Sequence, residues 1–217
     1  MFPVFFANLP YLLKGAFYTI NLSVITVVLG LVLGATLGVL AYYGPRPIRM
    51  LIAVYVFFFR GLPVLIVVFL FYYLPPVWGI DLNVYLSAAI ALVCYSGAFV
   101  TEIVRGAIGA IPASQIDAAK SVGMKTVPIL WLIVLPQALR FSLPPLLNNT
   151  IMSIKITSYS SVVGVWELTF AAREVVERTL AAFEIFLGVM AIYFLLCFPL
   201  SVLSSRLERK LAIPTFA

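Results

Sequence analysis

The chain is 217 residues long with a formal net charge of +6, and it is 64% hydrophobic and only 10% charged, with a mean hydropathy of +1.14. That balance leaves too little polar material to cover a water-soluble surface, so the protein belongs in a membrane. The basic residues flank apolar stretches and form no patch for nucleic acid, while two cysteines buried in apolar runs (Cys94, Cys197) and no histidine leave no disulfide framework, thiolate metal site or imidazole shuttle.

One helical crossing needs about 20 apolar residues, and the sequence supplies five such stretches. Lys14 follows the first apolar residues and does not precede them, the wrong order for a cleaved signal peptide, so the first crossing, roughly Ala16 to Tyr42, is expected to be retained. Within it Gly30, Gly34 and Gly38 recur every four residues, which places three positions without side chains on one face and allows close approach of another helix. Gly44-Pro45-Arg46-Pro47 reads as a turn. The second crossing spans roughly Leu51 to Leu74 and ends at Pro75-Pro76, and the third spans roughly Tyr85 to Val104. Tyr72, Tyr73, Trp78 and Tyr85 suit the headgroup region between them.

The longest polar connection follows, from Arg105 to about Leu143. Asp117 to Gly123 has helical spacing, with Ala118, Ala119 and Val122 on a compact small face; Pro112 can open this short helix and Gly123 can close it. Asp117 either meets a partner or stabilises the first turn of its own helix. Val127 to Leu135 is apolar but nine residues long, with Pro128 and Pro136 at its ends, and is expected to lie along the membrane face or beneath the bundle. The fourth crossing, roughly Leu146 to Val165, is rich in polar residues, and the fifth runs from about Phe183 to Leu203 before Arg206, Glu208, Arg209 and Lys210 stop the chain at the surface.

Basic residues set the orientation. With the long connection in the cytoplasm, the inner side holds Arg46, Arg49, Arg105, Lys120, Lys125, Arg140, Arg206, Arg209 and Lys210, against Lys14, Arg173 and Arg178 outside. This satisfies the positive-inside bias and puts the N-terminus outside and the C-terminus in the cytoplasm. Arg60 and Lys155 remain within spans, where facing lipid would cost about 2.5–3.5 kcal/mol each, so both should face protein, a polar cavity or an interface. Lys155 with Ser158 at i+3 is a candidate substrate pathway or interhelical anchor, and Arg60 a candidate carboxylate partner or the hinge of a bend. Glu102 and Arg105, three apart, can pair in a gating or structural role. Glu167, Arg173, Glu174, Glu177, Arg178 and Glu184 alternate in sign, and a Glu174–Arg178 pair predicts an exposed outer helix.

Ala110 through Pro136 resembles the signature cytoplasmic loop of permease subunits of bacterial ATP-binding cassette importers, written EAA, three residues, G, nine residues, I, one residue, LP. Asp117 stands at its acidic position, followed by Ala118, Ala119, Gly123, Ile133, Leu135 and Pro136 at matching spacing. Phe59-Arg60-Gly61-Leu62-Pro63 is similar to the FRGTP segment of the polar amino-acid uptake branch, Tyr95 with Glu102 and Arg105-Gly106 resembles the end of its third crossing, and Leu135 to Arg140 matches its LPQALR. The fourth crossing departs, with Lys155-Ile156-Thr157-Ser158-Tyr159 where the branch often has Lys-Asp-Thr-Ser-Leu.

The resemblance covers about Tyr11 to Lys210 and implies an all-α membrane protein of five transmembrane helices, one permease domain over residues 1–217 with a cytoplasmic coupling segment at 106–143. It implies a bacterial inner-membrane subunit, not itself an enzyme, that carries an amino acid or related polar solute. Its implied partners are a second permease subunit, identical or homologous, an extracytoplasmic solute-binding protein, and ATP-hydrolysing subunits that bind ATP and Mg and meet the chain at Asp117, Ala118, Ala119, Gly123 and Pro136. The chain itself has no GxxxxGK[ST] loop for nucleotide. An ion-coupled carrier or channel, or a non-transporting membrane scaffold, are the alternatives.

Overall fold

The first helix, α1, runs unbroken from Pro3 to Tyr43 in the computed structural model, which describes residues 2–211. It begins well before the Ala16 expected from hydropathy, for a tertiary reason. Leu12 and Ala16 are buried against Leu168, Ala171, Ala172 and Val175, and the Phe5 N–H, an orphan donor of the first turn, finds the Glu184 carboxylate at 2.7 Å. At ~1.5 Å per residue this helix far exceeds the ~30 Å hydrocarbon core.

Helix α2, Arg46–Gly61, and helix α3, Val64–Val77, meet at 109°. The second span is therefore sharply broken and not one straight crossing from Leu51 to Leu74. Leu62 precedes a proline and is held extended at φ −104°, ψ 144°, and Pro63 has no N–H to continue the ladder. Pro75 and Pro76 fall inside the last turn of α3 instead of before it, and the stop comes from Gly79 at φ +73°.

Helix α4 spans Val84–Gly109, capped by the Asn83 side chain on the Leu86 N–H at 2.7 Å. The glycine seam of α1 lies against it: a Cβ at Gly30 would fall 3.1 Å from Ser96 Oγ, one at Gly38 2.7 Å from Val104 Cβ. Helix α5, Ala113–Ser121, starts immediately after Pro112. It ends where Gly123 takes φ +82° and lets its own N–H and that of Met124 reach the Lys120 and Ala119 carbonyls at 2.9 and 3.1 Å.

A continuous helical run, α6, then extends from Thr126 to Val163. Val127–Leu135 is thus the first part of the fourth span's helix and not a separate element along the membrane face. Pro128 lies in the first turn, where its missing N–H has no intrahelical acceptor to lose. Pro136 is absorbed because Leu130–Val134 widens into a π turn, with the Leu135 N–H bonded to the Leu130 carbonyl. From Thr157 to Val163 the helix tightens to 3₁₀ geometry, and Gly164 at φ +95° ends it. Helix α7 is Leu168–Thr179 and α8 is Ala182–Leu211. Four described helices are long and apolar enough to cross a bilayer singly, and the bent α2–α3 pair makes a fifth span.

Buried side chains form three clusters along the bundle. One, around Val67, Leu92, Ala98 and Ile156, packs α1, α3, α4 and α6 together. A second, around Leu12, Val175 and Ile185, joins α1 to α7 and α8, and a third, around Ile108, Ala119 and Val134, ties α5 to the ends of α4 and α6. The helix expected to be exposed has two faces: Arg173, Glu177 and Arg178 are exposed, whereas Leu168, Ala171, Ala172 and Val175 join the second cluster and Glu167 and Glu174 turn inward. Glu167 is 0% exposed and caps α7 through the Phe170 N–H at 2.9 Å, while Thr19 and Tyr193 hydroxyls donate to its other oxygen at 3.1 Å each. Glu174 accepts from Tyr11 and Trp166, and Arg178 donates to the Glu174 backbone carbonyl at 3.1 Å instead of pairing with its carboxylate.

Burial pushes the Glu167 carboxyl above the usual carboxylate range, and its hydrogen bonds pull it only part of the way back. The folded chain thus holds this proton more tightly than the unfolded one, so the linked stability is complete below the unfolded value and is lost as pH rises through the folded one. Melting of the detergent-purified protein is expected to move to lower temperature across that window, and Glu167→Gln to flatten the dependence. An unchanged pH profile in the variant would show that another group sets it.

Candidate functional site

Helix α5 presents two faces. Ala119 is buried among Ile108, Ile111, Ile129 and Val134, whereas Asp117, Ala118 and Lys120 are exposed. Asp117 lies beyond the first turn and caps nothing; it pairs with Lys120 at 3.6 Å, an exposed i,i+3 contact worth little to stability. Asp117 therefore does not cap its helix, and its carboxylate lies exposed beside Lys120. Val122 is 77% exposed, and Val127, Trp131 and Leu132 extend an apolar surface along the start of α6. Pro136 lies just past the π turn and is exposed. Gln137 Nε2 donates to Gln115 Oε1 on α5 at 2.7 Å, a contact with no local signal in the sequence because its partners stand 22 residues apart.

A second site forms where α2 faces α4. Arg105 Nε and Nη2 donate to Glu102 Oε1 and Oε2 at 2.8 and 3.0 Å, and Arg60 Nη1 lies 3.4 Å from Glu102 Oε2. The Arg60 guanidinium also sits 5.3 Å from the centre of the Phe99 ring. Together with Arg49, Val56 and Phe57 these residues line an open cavity of about 590 Å³. One carboxylate therefore holds two guanidinium groups in an open recess lined by charged and apolar side chains, and Arg60 reaches it from the last turn of α2.

Lys155 and Ser158 do not join that cavity. Lys155 is exposed on the far end of α6 with no carboxylate within ion-pair distance among the described residues, and Ser158 donates to the Lys155 carbonyl at 2.7 Å. The polar residues near Lys155 that turn inward make a different network: Ser96 and Ser153 hydroxyls are 3.1 Å apart, and Asn149 Nδ2 donates to Ser96 at 3.0 Å. Asn149 and Ser153 belong to the polar-rich fourth crossing, but the partner that organises them, Ser96, lies on another helix and leaves no local signal.

A model of the family described as "binding-protein-dependent transport system inner membrane component" matches residues 27–213. The chain belongs to that family. It is 36% identical over 203 residues to the L-cystine transport system permease protein TcyB of Bacillus subtilis, covering 93% of this chain and 87% of that protein. It is 33% identical over 207 residues to the glutamine transport system permease protein of Escherichia coli, with 94% of each chain covered. A solved structure described as an amino acid ABC transporter with histidines superposes with a TM-score of 0.90 at 29% identity, covering 97% of this chain and 98% of the other. The methionine transporter MetNI, in an inward-facing form, shares the fold with a TM-score of 0.79 at 20% identity. This binding-protein-dependent permease thus works as an inner-membrane transport component, and the helical architecture expected from its sequence is that of its family.

Proposed function

We propose that this permease forms the translocation pathway for an amino acid, with its N-terminus outside, its C-terminus in the cytoplasm, and ATP hydrolysis carried out by a separate subunit docked on α5. The observation that carries the reading is the division of α5 between a buried Ala119 and an exposed Asp117–Ala118–Lys120 face on a helix anchored by its own hydrophobic cluster. A rigid element of this kind receives a push from outside the bundle without unfolding. The positive-inside bias of the flanking segments supports the cytoplasmic placement of α5. A second permease subunit would cover Lys155, which is too costly to leave in lipid, and a solute-binding protein would deliver substrate at the opposite face. The cystine and glutamine relatives support a zwitterionic amino acid as cargo, and the Arg60–Glu102–Arg105 recess is the candidate station for its charged groups.

Reconstitution with the ATPase and solute-binding subunits tests this. Labelled glutamine or cystine should accumulate in proteoliposomes only when ATP is supplied on the ATPase side. Accumulation driven by an ion gradient with no ATPase present would instead favour a carrier. In the same assay Glu102→Gln is expected to lower uptake and, modestly, melting temperature, because two half-exposed arginines lose a carboxylate partner at about 0.2–1 kcal/mol per pair, while Arg60→Ala lowers uptake with a smaller effect on melting. Equal, negligible effects of both changes would remove the recess from the pathway.

A further inference from the structure

The Gln137 side chain joins three features that are otherwise separate. One amide hydrogen goes to Gln115 Oε1 on α5 at 2.7 Å, and the other goes to the Ile133 backbone carbonyl at 2.9 Å, inside the π turn of α6. Both donors of the amide are thereby used. The π turn is where the helical ladder is weakest, since the i→i+5 pattern is poorer and Pro136 brings no N–H to it. A side chain that supplies an extra donor there, and at the same time ties the segment to α5, stiffens the one place where a displacement of α5 would otherwise be lost before reaching the spanning part of α6. The apolar packing of Ala119 on Ile129 and Val134 holds the two elements together but has no directional preference. The Gln137–Gln115 bond supplies the direction between the helices, and the Gln137–Ile133 bond holds its donor in place.

We propose that Gln137, with Gln115, is the positioning pair through which movement of α5 is passed into α6, so that the pair sets how much transport accompanies each ATP hydrolysed. This rests on the assignment of α5 as the ATPase-docking element. Neither amide touches nucleotide or solute; they act through the geometry of the two helices.

The test is the ratio of solute imported to ATP hydrolysed by the reconstituted complex, measured with labelled glutamine or cystine, alongside retention of the ATPase subunit on purification. Gln115→Leu should lower the ratio about fivefold, the change in a two-state balance expected from one lost hydrogen bond, and Gln137→Leu, which loses both, at least as much, with the ATPase subunit still retained. Gln115→Glu keeps an acceptor facing Gln137 and should preserve the ratio. Gln137→Glu puts a carboxylate against the Ile133 carbonyl and should lose it. If Gln137→Leu lowers the yield of folded protein, Gln115→Leu, on the exposed face of α5, carries the test alone. An unchanged ratio in the leucine variants overturns the proposal. So does loss of ATPase retention in them, which would make the amides part of the docking surface and leave the permease assignment standing. A wild-type complex that imports nothing with ATP overturns both.

Discussion

Gly34→Leu is expected to abolish recovery of folded, monodisperse protein from the membrane. A Cβ at this position would lie 2.6 Å from the Gly97 carbonyl oxygen and closer still to Val100 Cβ. The first of these is backbone and cannot rotate away, so α1 and α4 must separate along the seam that also holds Gly30 and Gly38. Overpacking of a close-packed interior costs typically about 1–3 kcal/mol and sometimes more, and a leucine wedged between two helix backbones belongs at the upper end. Within a bilayer, where helices gain nothing from leaving water, that lost packing has no hydrophobic substitute. Gly106→Ala is the matching control. No atom lies within 4 Å of a Cβ there, and alanine in a helix is favoured over glycine by roughly 0.5–1 kcal/mol, so size-exclusion and melting behaviour should be unchanged or slightly improved. Equal tolerance of both substitutions would show that the seam does not hold α1 to α4.

The second large effect is expected on transport and not on folding. Gly123→Val places a β-branched residue at φ +82°, in space that is otherwise open. The penalty is conformational, at least about 1–2 kcal/mol for an L-residue in the left-handed region and greater for a β-branched one. The four-residue link from Val122 to Lys125 can relieve it by rotating α5 away from α6. The remainder of the bundle does not depend on this link, so the protein should still purify. ATP-driven uptake should fall roughly tenfold or more, since each 1.4 kcal/mol of misplacement is a factor of about ten in a two-state balance. Gly123→Asn should be much milder, because asparagine tolerates this conformation. Uptake that is unaffected by valine would mean that the path of the chain leaving α5 does not matter for function.

How much of this was legible in the sequence depended on whether a feature is local. The glycine seam was readable because a spacing of four in a helix determines a face. Glu102 with Arg105, and the helix between Pro112 and Gly123, were readable because their partners or caps lie within a few residues. The fourth span was misread at its start, where Pro128 and Pro136 looked like terminators. One sits in a first turn and the other beside a π turn, and both sites tolerate a residue without an N–H. Hydropathy likewise located the second span but carried no direction, so the 109° bend just after Arg60 was visible only as a Gly-Leu-Pro interruption. The alternating charges from Glu167 onward suggested a solvated surface. Their actual partners, Thr19 and Tyr193 for Glu167 and Tyr11 and Trp166 for Glu174, come from three other segments, and no periodicity reports them.

A single cysteine at Lys120, with Cys94 and Cys197 replaced by serine, tests the placement of α5 most directly. Lys120→Cys in the assembled transporter should react with a membrane-impermeant maleimide only in inside-out vesicles, and should cross-link to the ATPase subunit. Labelling of the same residue from outside intact cells, with no cross-link to the ATPase, would contradict the account.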